Sequence, residues 1–329
     1  MTTIKKPCTS ENTIRDSEFY FEDGNIVLSA KEDGTTVYFR LHRSILTKHS
    51  PVFADMFAMP SPPTADCYDD APLVEMHDEA DVLGLFIGLL YDPQCISPIL
   101  ESEDFPALIY EAVVLAKKYQ VDWICTMAAS RLRQQWPSTL LEWDKVVDAE
   151  MADYNAGIDP EYDQYNASSM AKIRRLPEPV AAIRLARECN APEILPVAFL
   201  HLFRLSLEDN SSDLEVWQRP RRELLMPSDL NCLVLARERI GKWIEHILTS
   251  MDRNCEGETR MQCDFQHQSL RCRIAIGVAS HGNLLSVTRY MKAPSAMCSS
   301  CSIKFSDDVD LLRQRFFNRL AHFFSCDVH

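Results

Sequence analysis

The chain has 329 residues, of which 46% are hydrophobic and 25% are charged, and these proportions are typical of a globular protein. A chain of this length usually divides into two domains. Glycine is scarce, at 9 residues, which disfavours a turn-dense all-β fold. No run of 18 or more apolar residues occurs, so the sequence predicts no membrane-spanning helix.

The net charge of −14 lies almost entirely in the first half of the chain. Residues 1–150 carry 12 basic and 25 acidic side chains, whereas residues 151–329 carry 22 and 23. An acidic surface repels a phosphate backbone. We therefore expect no direct nucleic-acid binding by the first half, and the change in charge supports a domain boundary near the middle.

The N-terminal segment predicts a tail followed by a hairpin. Residues 1–19 are polar and are expected to form a disordered tail. Two β-strands are predicted, at residues 25–30 and 37–42. Asp33-Gly34 between them is a strong signal for a tight turn.

Short helices and a further strand follow the hairpin. One helix is expected to begin at His42 and a second at Ser50, since Ser50 suits the N-cap and Pro51 the first helical position. Residues 58–72 are acidic and rich in proline, which is typical of a solvated loop. A short strand is predicted at residues 73–76.

The remaining elements are helical. Apolar residues at helical spacing predict helices between residues 78 and 135. Residues 136–177 are expected to form a linker with partial helix, and residues 178–329 a helical domain. Long amphipathic helices are predicted at residues 228–250 and 307–325.

The order of these elements, and the residues within them, resemble the BTB/POZ domain. The most specific stretch is FRLHRSIL at residues 39–46, followed by SPVF at 50–53 and MF at 56–57. Together they match the family's pattern F-x-x-H-[RK]-x-[IVL]-L…S-x-x-F-x-x-[ML]-[FL]. Later landmarks are V-x-M-x-D at 74–78 and AKKYQV at 116–121.

The resemblance covers residues 20–135 and implies an α+β fold, in which a small sheet is flanked by helices and followed by an all-α region. Residues 183–198 are similar to the helical tails of fungal BTB proteins. Members of the family are generally non-catalytic protein-interaction modules. The resemblance implies a homodimer that can serve as a substrate adaptor for a cullin-type ubiquitin ligase, with a transcription-associated regulator acting through partner proteins as the alternative.

The family's dimer contacts use the first strand region and the first helices, which implies a protein-binding face here. Repressor-type members carry an aspartate in the first strand, where this chain has Asn25. An asparagine offers no negative charge to pair with Arg43, which disfavours the regulator interpretation. The residues expected at the face are Asn25, His42, Arg43, Ser44, Leu46, Phe53, Met56 and Phe57.

The twelve cysteines are expected to be reduced thiols or metal ligands and not a disulfide framework, because the N-terminus lacks the features of a secretory signal. Cys298 and Cys301 form a C-x-x-C pair, and Cys255 and Cys263 lie upstream. Four such thiolates would satisfy a structural zinc ion. The spacing is not that of a standard zinc finger, so ordinary reduced thiols remain the alternative.

No catalytic motif is present. The chain contains no G-x-S-x-G elbow, no G-x-G-x-x-G and no phosphate-binding P-loop. The sequence therefore predicts a non-enzymatic protein without catalytic residues and without a cofactor other than the candidate zinc. It is expected inside the cell, in the cytoplasm or the nucleus, with proteins as partners and no membrane association.

Overall fold

The computed structural model describes residues 12–60, 66–102, 104–156, 176–205, 221–250, 255, 260–281 and 284–325. The chain forms two compact units, residues 1–128 and 129–329. The first contains a five-stranded sheet with helices and the second is helical, so the predicted α+β class is confirmed. The boundary falls within the helix that was expected to end the first domain at residue 135.

The sheet of the N-terminal unit has the order β1-β3-β2-β5-β4. Strand β2 pairs antiparallel with β3 and parallel with β5, and β1 pairs parallel with β3. Asp33 and Gly34 both have positive φ, at 47° and 80°, as the predicted hairpin turn requires. The strands are β1 (Asn12–Tyr20), β2 (Ile26–Glu32), β3 (Thr35–Leu41), β4 (Cys67–Tyr68) and β5 (Ala71–Glu79).

Six helices follow within or at the end of this unit. Ser50 starts the second of them, because its hydroxyl accepts a hydrogen bond from the Phe53 amide at 3.1 Å and donates one to the Tyr119 carbonyl at 2.6 Å. The Phe53 ring stacks on Tyr119 with centroids 4.7 Å apart. The helices are α1 (Arg43–His49), α2 (Pro51–Ala58), α3 (Ala80–Tyr91), α4 (Ser97–Glu101), α5 (Phe105–Lys118) and α6 (Asp122–Gln135).

The tail predicted for residues 1–19 is wrong for residues 12–19, which belong to β1. This strand has mostly exposed polar side chains, so it lacks the apolar alternation that would have marked it. The strand is instead defined by the backbone hydrogen bonds that it forms with β3. The proline-rich loop is also shorter than predicted, since β4 and the start of β5 lie within residues 58–72.

The second unit is built from eight helices among the described residues. Its core is aromatic, with Trp243, Phe316 and Phe323 within 5.7 Å of one another by ring centroid. The helices are α7 (Leu140–Ala156), α8 (Pro179–Glu188), α9 (Leu195–Arg204), α10 (Pro227–Ser250), α11 (Arg260–His281), α12 (Leu284–Arg289), α13 (Ser299–Asn318) and α14 (Leu320–Phe323).

The partial helix expected within residues 136–177 is found at Leu140–Ala156 as α7, which forms part of the helical unit and not of a linker. Trp143 on this helix is fully buried. The predicted helix at 228–250 agrees with α10 to within one residue. The helix predicted at 307–325 begins earlier, at Ser299, and is divided at Arg319 into α13 and α14. Residues 157–175 of the predicted linker lie outside the described residues.

One cysteine departs from the expected reduced state, since Cys232 is disulfide-bonded. Sequence spacing could not indicate this bond, because pairing depends on which residues the fold brings together. The described cysteines that form no disulfide bond are Cys67, Cys125, Cys189, Cys255, Cys263, Cys272, Cys298 and Cys301. A membrane-crossing helix is not found in the described part of the chain, because none of its helices sustains an apolar stretch of sufficient length.

Candidate functional site

The residues expected at a protein-binding face separate into two groups in the N-terminal unit. Leu46 and Phe53 are fully buried, so they belong to the core of the unit and offer nothing to a partner. This corrects their assignment to the face. Ser44 is exposed, and the other expected residues of α1 and α2 are partly exposed.

His42 has a structural role at the start of α1. Its Nδ1 lies 3.0 Å from the Tyr91 hydroxyl, and its Nε2 lies 3.1 Å from a carboxylate oxygen of Asp23. The same hydroxyl accepts a hydrogen bond from the His42 amide at 2.8 Å, and the Phe21 ring stacks on Tyr91. Because both ring nitrogens are engaged, His42 ties α1 to the end of α3 instead of presenting a free base.

Asn25 holds the first turn of α1 in place. Its side-chain oxygen accepts a hydrogen bond from the Arg43 amide at 2.9 Å. The Arg43 guanidinium lies over the Phe57 ring, 5.1 Å from the centroid. The neutral Asn25 therefore contacts the backbone of Arg43 by a hydrogen bond, and the guanidinium is placed over an aromatic ring.

The part of the expected face that remains at the surface lies on α1 and α2. Sequence analysis missed Met59, directly after α2, although its side chain is 66% exposed. Its proximity to Met56 and Phe57 in the chain was the available signal. We call the group Arg43, Ser44, Met56, Phe57 and Met59 the α1–α2 face.

Strand β1 forms an edge of the sheet and bends in its middle. The Asp16 carboxylate accepts hydrogen bonds from the amides of Glu18 and Phe19, at 2.9 and 2.7 Å. The register with β3 shifts between Arg15 and Tyr20. An irregularity of this kind in an edge strand limits pairing with a foreign strand.

Four cysteine sulphurs converge in the helical unit, and we call this group the cysteine cluster. The Sγ atoms of Cys255, Cys263, Cys298 and Cys301 all lie within 4.8 Å of one another. Cys263 lies in the first turns of α11, whereas Cys298 is the N-cap of α13 and Cys301 lies in its first turn. The structure thus brings together all four cysteines that the sequence analysis singled out.

Backbone amides also point at these sulphurs. The Cys298 amide donates to Sγ of Cys263, and the Cys301 amide donates to Sγ of Cys298, each at 3.4 Å. Burial raises the pKa of the Cys301 thiol above its usual range, and hydrogen bonds between this thiol and the other three cysteines add to the effect. A neighbouring positive charge would favour the Cys301 thiolate.

The cluster lies inside an apolar shell of the helical unit. Leu270 on α11, Met297, and Phe305 and Val309 on α13 are buried against it. Two other candidate ligands on α11 lie outside the cluster. His267 contacts the edge of the Phe305 ring, and Cys272 is exposed to solvent.

A second polar group links three helices of the same unit. Asp144 on α7 forms ion pairs with Arg313 on α13 and with Arg289 on α12, the latter at 3.1 Å. Arg289 also bonds Asp148 at 2.6 Å, and Arg313 donates to the Leu285 carbonyl at 2.6 Å. Sequence analysis missed this group because its members are far apart in the chain.

A scan of protein-family models, a search of curated proteins and a search of solved structures each gave no match to this chain. The BTB/POZ resemblance therefore stays a prediction from the residues quoted for it.

Proposed function

We propose that this chain is a non-enzymatic protein-interaction protein, whose N-terminal unit binds a second copy of the chain through the α1–α2 face. The single observation that carries the proposal is the separation of roles within α1 and α2. The most apolar landmarks, Leu46 and Phe53, fill the core, whereas Met56, Phe57 and Met59 stay at the surface.

The composition of the face suits contact with a protein. Aromatic residues, methionine and arginine are enriched at the centres of protein interfaces. Phe57 under the Arg43 guanidinium supplies a flat amphipathic surface. Methionine side chains adapt to irregular partners, and Met59 is largely exposed.

The resemblance extends the proposal to a BTB/POZ-type adaptor that brings proteins to a cullin-type ubiquitin ligase. The acidic first half of the chain favours protein partners over nucleic acid. A role inside the cell, in the cytoplasm or the nucleus, fits the eight described cysteines, Cys232 not among them, that form no disulfide bond, because thiols persist in a reducing compartment. A transcription-associated regulator is the second candidate function, since Asn25 offers no carboxylate to Arg43.

Light scattering after size exclusion tests the dimer. We expect the purified full chain at tens of micromolar to show twice the chain mass of 37.6 kDa. Met59→Glu and Phe57→Glu should shift the mass to that of the monomer, because an unpaired charge in an apolar interface is costly. Leu108→Glu is the matched control, since Leu108 is a half-exposed apolar residue of the same unit on α5. A monomeric wild type would refute the proposal.

Native affinity purification with mass spectrometry tests the adaptor role. Wild type, Met59→Glu and Leu108→Glu chains are compared in cells. Recovery of a cullin with the wild type supports the adaptor. Recovery of chromatin proteins or transcription factors without a cullin would overturn the adaptor in favour of the regulator.

A further inference from the structure

We infer that the cysteine cluster is a tetrathiolate site for one zinc ion. The ion would join Cys255 to α11 and to the start of α13. The inference is independent of the proposed function of the N-terminal unit. The distances between the sulphurs support the zinc site. In a tetrahedral site with Zn–S bonds of about 2.3 Å, the sulphurs lie about 3.8 Å apart. Here Sγ of Cys255 and Cys298 are 4.0 Å apart, and all four lie within 4.8 Å of one another.

Disulfide bonds do not account for this spacing. A disulfide requires about 2.05 Å between its sulphurs, and none of the four cysteines forms a disulfide bond. Simple apolar packing accounts for it poorly as well, because buried thiols in a core usually face hydrocarbon neighbours. Here four sulphurs from three separate segments lie within 4.8 Å of one another.

The backbone around the cluster is arranged to stabilise negative sulphur. Amides of Cys298 and Cys301 donate to Sγ of Cys263 and Cys298. Hydrogen bonds from a second shell orient metal ligands and strengthen the site. Cys298 also caps α13, a helix of 20 residues, and the positive end of a helix dipole favours a thiolate.

The ligand set selects the kind of metal and its role. Four thiolates are soft ligands, which excludes magnesium and calcium and favours zinc or iron. Four protein ligands complete a tetrahedron and leave no position for water or substrate, so the ion would be structural and not catalytic. We commit to zinc, with iron as the outcome that would contradict it.

The ion would supply contacts that α11 lacks. Among the described side chains of this helix, those of Cys263, Leu270, Arg271 and Ile274 are buried, whereas Met261 and Phe265 are exposed. Without the ion, α11 would be held against α13 by a small apolar area. With it, Cys263 is bonded through the metal to both cysteines at the start of α13.

Metal analysis of the purified full chain tests the site. We expect one zinc per chain in the wild type and a loss of at least tenfold in Cys263→Ser and Cys301→Ser. Cys272→Ser is the matched control, because Cys272 is an exposed cysteine on the same helix as Cys263, and it should retain full zinc. Absence of zinc in the wild type, iron in its place, or equal loss in the control would overturn the inference.

Two readouts on the wild type guard against variants that do not fold. Exchange with cobalt should give the intense visible bands of tetrahedral Co²⁺ with thiolate charge transfer. Titration with a mercurial reagent should release the zinc ion as four cysteine thiols are modified. Cobalt bands of an octahedral ion, or four cysteines that resist modification because they are disulfide-bonded, would contradict the site.

Discussion

The N-terminal unit and the helical unit are each stabilised internally by a different kind of contact. Strand β2 is central to its sheet and places Ile26, Val27 and Leu28 out of solvent on both faces. In the helical unit, Cys255, α11 and the start of α13 instead meet at four thiols, and α7, α12 and α13 meet at a group of charged side chains. The centre of the sheet is thus stabilised by apolar burial, whereas these helices also depend on thiols and charged side chains.

This difference determines which substitutions destabilise each unit. Loss of an aromatic ring leaves a cavity in the N-terminal unit, and the cost follows the volume lost. Loss of one polar partner in the helical unit leaves a buried charge or an open ligand position, and the cost follows electrostatics and coordination. The following changes test this contrast, starting with the largest expected effect.

Removal of metal should affect the helical unit alone. Structural zinc contributes on the order of 10 kcal/mol of apparent folding free energy in zinc-finger peptides. A strong chelator should therefore cause hydrogen exchange to accelerate in α11 and at the start of α13. Amides of β2 in the N-terminal unit serve as the internal control. Equal acceleration in both units would contradict the contrast.

Phe53→Ala should cost about 3–5 kcal/mol of the unfolding free energy of the N-terminal unit. The ring is fully buried and stacks on Tyr119 at 4.7 Å. Leu108→Ala, at a half-exposed position of α5 outside the α1–α2 face, should cost about 1 kcal/mol. Denaturant unfolding measures both variants. Similar costs would contradict the role of the Phe53 ring in the core.

Arg313→Met should cost about 3 kcal/mol in the helical unit, because it leaves the buried Asp144 with only one partner. The Arg313 side chain is only 4% exposed, whereas that of Arg289 is 29% exposed. Arg289→Met should therefore cost about 1 kcal/mol. Thermal unfolding compares the two variants, and a larger loss for Arg289→Met would refute this ranking.

Ser50→Ala should cost about 1–2 kcal/mol, because its buried hydroxyl both caps α2 and donates to the Tyr119 carbonyl. Ser44→Ala on α1 is the control, since Ser44 is exposed and should cost about 0.5 kcal/mol or less. Denaturant midpoints measure the difference. An effect of Ser44→Ala as large as that of Ser50→Ala would show that the cap is unimportant.

Asp148→Asn should have the smallest effect, and that effect should depend on pH. Hydrogen bonds from Arg289 and Tyr290 lower the pKa of Asp148 to about 2 from an ordinary value of 3.8. The stabilisation is therefore present above about pH 4 and is lost as the pH falls toward 2. Because the Asp148 side chain is 43% exposed, solvent screening limits the effect to a few tenths of a kcal/mol.

Unfolding of wild type and Asp148→Asn at pH 6 and pH 2.5 checks this prediction. The variant should be less stable at pH 6, and the gap should narrow at pH 2.5. A gap that does not change with pH would mean that the ion pair with Arg289 contributes nothing to stability.

Local signals in the sequence predicted the elements whose causes are local. Asp33-Gly34 predicted the hairpin turn, and Ser50-Pro51 predicted the start of α2, because turn and cap chemistry involve only neighbouring residues. The apolar period at residues 228–250 predicted α10 to within one residue. The C-x-x-C pair and the upstream cysteines singled out the four residues of the cysteine cluster.

The tertiary structure decided what depends on distant partners. Strand β1 forms because its backbone pairs with β3, although its side chains are polar. Leu46 and Phe53 share the resemblance pattern with Met56 and Phe57, but only packing separates core from surface. Arg313 meets Asp144 across 169 residues of chain, a pairing that no local pattern carries, because charged residues far apart in sequence become partners only when helices pack.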